Sequence, residues 1–224
     1  MMTDQIGITE RADPTVNLKW INWVKMGRPA ILITKDPAQL GLLLPETKNV
    51  TVHCTITGLG GTVMEPNIPP VESSIPAYHA LCRELGKDRV VLRIDPIVDE
   101  VALLTYKILT QEAEGRVRIS FLDLYPHVLT RFKERGVALA RSSFHMPLKQ
   151  RFAIWEYLGK PEVCGEPGMS LAPCVSKLDC EVLGVRPSLW LKGQRKACTC
   201  LANKTELCAW PPKCTYGCLY CYWK

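Results

Sequence analysis

Residues 30–57 read AILITKDPAQLGLLLPETKNVTVHCTIT, and this stretch decides the fold class. Its first five residues are mostly apolar and β-branched, which predicts a buried strand. Asp36-Pro37 then predicts the start of a short helix, because Asp caps a helix and Pro fits its first turn. The run NVTVHCTIT at 49–57 is rich in β-branched residues and predicts the next strand. A strand–helix–strand unit of this kind implies parallel neighbouring strands.

The same alternation extends on both sides of this unit. QIGIT at 5–9 predicts a strand before it, and RVVLRID at 89–95 and VRISFLD at 117–123 predict two strands after it. Between the first two strands, Asp13-Pro14 predicts a helix that runs to Gly27. Apolar strands that alternate with helices are typical of a parallel sheet covered by helices. We therefore expect an α/β fold, a partial (βα) barrel of about five to six parallel strands, with its site at their carboxyl ends.

The chain divides into two regions. Residues 1–160 carry the alternation and are expected to form the barrel, whereas 161–224 are dominated by Cys, Gly and Pro and are expected to be a metal-organised segment packed on it. Of the 224 residues, 47% are hydrophobic and 22% charged, which supports a packed core. The N-terminal sequence lacks the apolar core that a secretory signal requires. No stretch of the sequence approaches the roughly 18 consecutive apolar residues of a membrane span. We expect a cytoplasmic protein without membrane contact.

Cysteine use separates the two regions. Of the 11 cysteines, only Cys54 and Cys82 precede residue 164. In the cytoplasm, clustered cysteines favour metal binding or catalysis over disulfides. The last residues, KCTYGCLYCYWK at 213–224, give a C-x3-C-x2-C spacing, formed by Cys214, Cys218 and Cys221.

This spacing suits a [4Fe–4S] cluster. Three thiolates on one tight loop can hold three irons of the cubane and leave the fourth iron open to a ligand. An open iron can chelate the amino and carboxylate groups of S-adenosylmethionine (SAM). A zinc knuckle is the alternative, and its fourth ligand would come from Cys198, Cys200 or Cys208.

With Tyr220 before the last cysteine, the motif resembles the C-x3-C-x-aromatic-C signature of the radical SAM enzymes. Other segments resemble the spore photoproduct lyase and DNA repair photolyase-like branch of these enzymes. They are ITK at 33–35, VHCTIT at 52–57, MEP at 64–66 and RIDPI at 93–97.

In that branch the cysteines precede these strands, whereas here they lie at the C-terminus. The chain resembles, over nearly all of its length, a radical-SAM-like family in which the cluster motif is permuted in this way. The segments that carry this resemblance are TERAD at 9–13, SFLDLY at 120–125, CGE at 164–166 and QRKACTC at 194–200.

The resemblance implies a [4Fe–4S] cluster on the C-x3-C-x2-C loop that cleaves SAM to a 5′-deoxyadenosyl radical. It implies that Lys35 and Thr55 hold SAM and that Tyr220 backs the cluster or the adenine. Arg93 and Asp95 would line the substrate side as catalytic residues. It also implies an electron donor such as flavodoxin or ferredoxin, and nucleic acid or a nucleotide as substrate.

Four further cysteines suffice for a second metal centre. They would hold either a closed Fe–S cluster or a structural zinc ion. Cysteines recur at the matching positions of the similar family, and Cys180 and Cys208 are extra. The four ligands are Cys164, Cys174, Cys198 and Cys200.

The net positive charge of the chain comes from its last 39 residues. From Arg186 onward, seven basic residues stand against Glu206 alone, which accounts for the net charge of +6. Such a segment attracts nucleic acid or offsets the negative charge of Fe–S clusters.

An alternative function is a zinc- or Fe–S-stabilised binding module for nucleic acid or a protein partner. In that case Lys35 is a solvated residue at a strand end, Thr55 is only a strand former, and Arg93 and Asp95 form only a salt bridge.

Overall fold

The sheet of this protein is a curled half-barrel of seven parallel strands, in the order β6-β5-β4-β3-β2-β1-β7. The structure is a computed structural model. It describes residues 5–46, 49–99, 102–166, 168–169, 173–187, 200–201, 203–209 and 214–223. The strands are β1 (Gln5–Ile8), β2 (Ala30–Thr34), β3 (Val50–Thr55), β4 (Val90–Ile97), β5 (Arg116–Phe121), β6 (Glu162–Val163) and β7 (Asn203–Glu206). The expected α/β class is confirmed, with seven strands where five to six were expected.

The helices connect consecutive strands, as the parallel sheet requires. Asp36 caps the helix after β2 by accepting a hydrogen bond from the backbone N–H of Gln39 at 3.0 Å, as the sequence predicted. The described helices are α1 (Trp20–Lys25), α2 (Pro37–Leu43), α3 (Val71–Leu85), α4 (Leu103–Gln111), α5 (Pro126–Glu134), α6 (Leu148–Tyr157) and α7 (Lys177–Leu183).

The helix expected to begin at Asp13-Pro14 is much shorter than predicted. It starts only at Trp20, and residues 13–19 form turns. The Asp13 carboxylate accepts hydrogen bonds from the backbone N–H groups of Thr15 at 3.0 Å and Lys35 at 2.7 Å. Because the second of these bonds reaches the end of β2, the Asp13 side chain joins the turn after β1 to the end of β2.

The two additional strands come from the region after residue 160 and lie at opposite edges of the sheet. The two-residue strand β6 pairs with β5, and the four-residue strand β7 pairs with β1. The segment from residue 161 therefore shares one sheet with the first 160 residues.

Alternate residues of the strands face two different layers. On one face, residues such as Leu32 and Leu92 are fully buried beneath the helices. On the other face, Ile6, Ile8 and Ile31 pack against a segment that we call the plug (residues 173–187), which contains α7. The plug fills part of the half-barrel and leaves space at the carboxyl ends of the strands.

Within the described ranges, none of the helices combines the length and the apolar character that crossing a membrane requires.

Candidate functional site

A cavity of about 290 Å³ lies at the carboxyl ends of the strands. Parallel strands place their carboxyl ends at one edge, so side chains from several strands converge there. The sequence-predicted site residues that line the cavity are Lys35, Thr55, Arg93, Asp95, Cys164, Cys174, Cys200, Cys214, Cys218, Tyr220 and Cys221. Cys198 lies outside the described residues.

The loop that carries C-x3-C-x2-C is fastened to the barrel through its backbone. The N–H of Leu219 donates to the carbonyl of Met64 at 3.0 Å, and Arg131 donates to the carbonyls of Cys218 and Cys221. These contacts hold the loop against the cavity without using any of its three thiols. The thiols therefore remain available as ligands.

Gly217 shapes this loop. Its φ of 70° lies in the left-handed region, which glycine adopts without the steric cost that a side chain would add. The turn lets the cysteines before and after it, Cys214 and Cys218, line the same cavity.

The donor set fits a [4Fe–4S] cluster. Three soft thiol ligands from one loop line one cavity, and cationic Lys35 acts electrostatically on Cys218. Burial raises the pKa of the Cys218 thiol to about 12, although Lys35 opposes this shift. Burial also raises the pKa of Cys214. Metal binding at these thiols must therefore displace protons, as it does at thiolate sites in general.

Lys35 lies at the centre of a buried polar cluster. Its Nζ donates to Oε1 of Glu65 at 2.7 Å and to the hydroxyl of Tyr220 at 2.7 Å. Thr57 donates to the other carboxylate oxygen of Glu65 at 2.7 Å. Burial disfavours the charged form of Lys35, but Glu65, Cys218 and Asp95 together outweigh that effect and the pKa of Lys35 rises. The lysine thus stays protonated and faces the cavity as half of an ion pair.

Sequence reasoning did not single out Glu65 and did not recognise the role of Asp13. Glu65 belongs to the MEP segment. Its carboxylate, placed between apolar residues and prolines, was the sequence feature that could have indicated a buried functional residue. Asp13 was interpreted as a helix cap. Its buried carboxylate also accepts from the hydroxyl of Thr34 at 3.0 Å, and Thr15 joins it to Tyr216 of the cysteine loop.

Arg93 and Asp95 form an ion pair on the cavity wall. Ser120 of the next strand donates to the second carboxylate oxygen of Asp95. Arg93 is 7% exposed, whereas the Asp95 side chain is 22% exposed. The carboxylate is therefore the more accessible member of the pair to a molecule in the cavity. The salt bridge considered from the sequence is present, and it lies at the site.

A second group of cysteines lines the same cavity. The sulfur atoms of Cys164 and Cys174 are 3.8 Å apart, and the Cys174 thiol also shares a hydrogen bond with Cys200. The hydrogen bonds from Cys164 and Cys200, helped by the charges of Arg93 and Arg118, lower the pKa of Cys174 against the effect of burial. In the described part of the chain, no three His, Cys, Asp or Glu side chains are already arranged around one metal position.

Of the seven basic residues in the C-terminal region, only Arg186 and Lys204 lie among the described residues. Lys204 lines the cavity and donates to Glu10 at 2.8 Å. This lysine is therefore part of the site.

A polar network supports the plug beneath the cavity. The fully buried carboxylate of Asp179 in α7 accepts from Arg116 at 2.7 Å and lies 3.8 Å from Nε2 of His53. Burial raises the pKa of Asp179, but the interactions with His53 and Arg116 outweigh it and the pKa falls far below its usual range. His53 is absent from the cavity lining and faces the plug through Asp179.

Comparison with known proteins assigns the chain to a family. No curated protein and no solved structure matches the chain. A family match covers residues 28–223, which is 196 of the 224 residues and includes both cysteine groups. The chain therefore belongs to the family described as a domain of unknown function (DUF1848).

Proposed function

We propose that this protein is an iron–sulfur enzyme of the radical SAM type, with a [4Fe–4S] cluster held by Cys214, Cys218 and Cys221. The observation that carries the proposal is that these three thiols line the same cavity as Lys35 and Asp95. When bound, such a cluster supplies the electron that cleaves SAM to methionine and a 5′-deoxyadenosyl radical. The resemblance of the sequence to radical SAM enzymes supports the same assignment.

The polar groups of the cavity suit the methionyl end of SAM, which carries an amino group and a carboxylate. Lys35 lines the cavity and pairs at 2.7 Å with Glu65, which is 1% exposed and lies outside the cavity lining. A ligand carboxylate that shares Lys35 with Glu65 leaves no buried charge uncompensated. Lys35 would bind a carboxylate oxygen of SAM, Glu65 would orient Lys35, and Thr55 would add a hydroxyl contact.

Other residues orient the loop and the substrate. Arg131 fixes the backbone at Cys218 and Cys221, so the ligands keep their positions when the cavity is filled. The partly exposed carboxylate of Asp95, aligned by Arg93 and Ser120, can accept a hydrogen bond from a substrate. A flavodoxin or ferredoxin would donate the electron, and a nucleic acid or nucleotide is the substrate class that the sequence resemblance favours.

Anaerobic reconstitution with iron and sulfide, followed by SAM and a strong reductant, tests the proposal. We expect 5′-deoxyadenosine from the wild type and none from Cys221→Ala. Cys82→Ala is the matched control, because Cys82 lies in α3 and is absent from the cavity lining. A protein that holds the cluster but neither binds nor cleaves SAM would contradict the proposal and favour the binding-module alternative.

A further inference from the structure

Three cysteines from distant parts of the sequence meet on one wall of the cavity. Cys164 directly follows β6, Cys174 lies in the plug, and Cys200 precedes β7. The Cys174 thiol interacts with both of the others, and all three line the cavity. The fold therefore assembles a thiol group that no local sequence motif would produce.

The spacing of the sulfur atoms distinguishes between possible occupants. Zinc–sulfur bonds of about 2.3 Å in a tetrahedral site place two thiolates about 3.8 Å apart. The sulfur atoms of Cys164 and Cys174 are 3.8 Å apart. A disulfide would bring them to about 2.05 Å. A cubane cluster would separate them much farther, because each thiolate binds a different iron. The observed spacing is that of a thiol–thiol hydrogen bond, and it would let both sulfur atoms bind one ion without moving apart.

The surroundings favour a negatively charged thiolate centre. Arg93, Arg118 and Lys204 all act electrostatically on Cys174 or on its neighbours. Arg93 Nε and Arg118 Nη1 are buried N–H donors with no hydrogen-bond partner among the described residues. Such unused donors suit the sulfur atoms of metal-bound thiolates, which commonly accept hydrogen bonds from groups around the metal site.

We propose that Cys164, Cys174 and Cys200 bind one tetrahedral thiophilic divalent cation, of the Zn²⁺ class, on the wall of the cavity. The three thiols do not surround a common point in this structure, so metal binding includes their approach to one another. Three thiolates and one Zn²⁺ carry a charge of about −1, which the nearby Arg and Lys side chains offset. This site is separate from the C-x3-C-x2-C loop and does not depend on SAM chemistry.

Metal analysis of the wild-type full chain, purified without oxygen from zinc-replete cells, tests the proposal without relying on any variant. We expect about one zinc per chain and a zinc X-ray absorption spectrum with sulfur ligands at about 2.3 Å. Substitution by Co²⁺ should give the intense visible bands of tetrahedral cobalt thiolate. Absence of zinc, a second iron cluster in its place, or a Cys164–Cys174 disulfide found by mass spectrometry would each overturn it.

Variants then assign the ligands. Cys174→Ser should lose the zinc, whereas Cys180→Ala should keep it. Cys180 lies six residues away in the same plug, but it is absent from the cavity lining. Cys218→Ala should lose iron and retain zinc, which separates failure of this proposal from failure of the proposed cluster. Zinc that remains in Cys174→Ser and disappears in Cys218→Ala would place the ion on the loop and refute the assignment.

Discussion

The Nζ of Lys35 lies 2.7 Å from Oε1 of Glu65, 30 residues further along the chain. The Glu65 side chain is 1% exposed, so the pair is protected from solvent on the carboxylate side. A buried lysine needs an anion, and this one already has it. A ligand carboxylate must therefore share or displace Glu65.

Lys35→Met should weaken SAM binding while leaving the iron content unchanged. The lost charge-assisted hydrogen bond is worth roughly 1.5–3 kcal/mol, or about tenfold to a hundredfold in affinity. The measurement is titration of reconstituted protein with SAM, followed by the electron paramagnetic resonance spectrum of the reduced cluster. Glu65→Gln should also weaken binding, because Lys35 loses the carboxylate that orients it and favours its charged form.

Lys107→Met is the control for these two variants. Lys107 lies in α4 outside the cavity lining and donates to the carbonyl of Tyr157 at 2.9 Å. Its affinity for SAM should equal that of the wild type. If Lys35→Met also titrates like the wild type, the SAM pocket is not at this strand end.

Replacing any one of Cys214, Cys218 and Cys221 with Ala should abolish the [4Fe–4S] cluster. Three ligands are the minimum that leaves a single open iron, so each thiol is required. Iron and sulfide analysis after anaerobic reconstitution measures the loss. Cys208→Ala should keep its iron, because Cys208 is absent from the cavity lining and contacts the carbonyl of Asn17 at 3.1 Å. Unchanged iron in all three variants would rule out the cluster.

The elements predicted correctly from the sequence are those that local sequence patterns determine. Apolar runs such as AILIT at 30–34 become strands because burial on both faces of a parallel sheet demands them. The parallel order then brings side chains such as Lys35 and Arg93 to one cavity. The polar strand β7 at 203–206 escaped notice because its pairing with β1 comes from tertiary packing. A sequence pattern carries no signal for such a pairing.

Two buried ion pairs could not be predicted from the sequence either. Glu65 meets Lys35 across 30 residues, and Asp179 meets Arg116 across 63 residues. No periodicity links partners at such separations, so each residue could be read only by itself. The thiol group of Cys164, Cys174 and Cys200 was predicted from the sequence only as part of a set of four available cysteines. Its spacing, which favours a single ion over a cluster, needed the structure.

Acid should destabilise the protein through His53. Burial, opposed by Asp179 and reinforced by Arg118 and Arg93, lowers the pKa of His53 to about 4 from 6.5. The unfolded chain therefore binds a proton at a higher pH than the folded chain does. Stability is full above about pH 6.5 and falls by up to about 3 kcal/mol as the pH drops to about 4.

Urea unfolding at a series of pH values, with metal content matched, measures this dependence. His53→Gln should remove that part of the slope between about pH 6.5 and pH 4. His145→Gln is the control, because the His145 side chain is 61% exposed and pairs with Asp123 at the surface. The same acid slope in His53→Gln as in the wild type would show that His53 is not the responsible group.

Asp179→Asn should destabilise the plug strongly. The carboxylate accepts two bonds from Arg116, at 2.7 and 3.2 Å, and one from the hydroxyl of Ser176 at 2.6 Å, while remaining fully buried. Removing its charge leaves the guanidinium buried without its main counter-ion, which typically costs about 3–5 kcal/mol. The free energy of unfolding, measured by urea denaturation, should fall by this amount.

Two companion variants separate the ion pair from helix stability in general. Glu181→Gln changes an exposed carboxylate of the same helix, whose pairing with Lys177 at 3.7 Å is solvent-screened, and should cost less than about 1 kcal/mol. Asp179→Leu combined with Arg116→Met removes both buried charges and should recover part of the stability that Asp179→Asn loses.

The plug also contains Cys174, so the variant that unpairs Arg116 should release zinc more readily than the double variant. If Asp179→Asn is as stable as Glu181→Gln, the ion pair does not hold the plug in the half-barrel, and the apolar contacts of Val175 and Leu183 must do so alone.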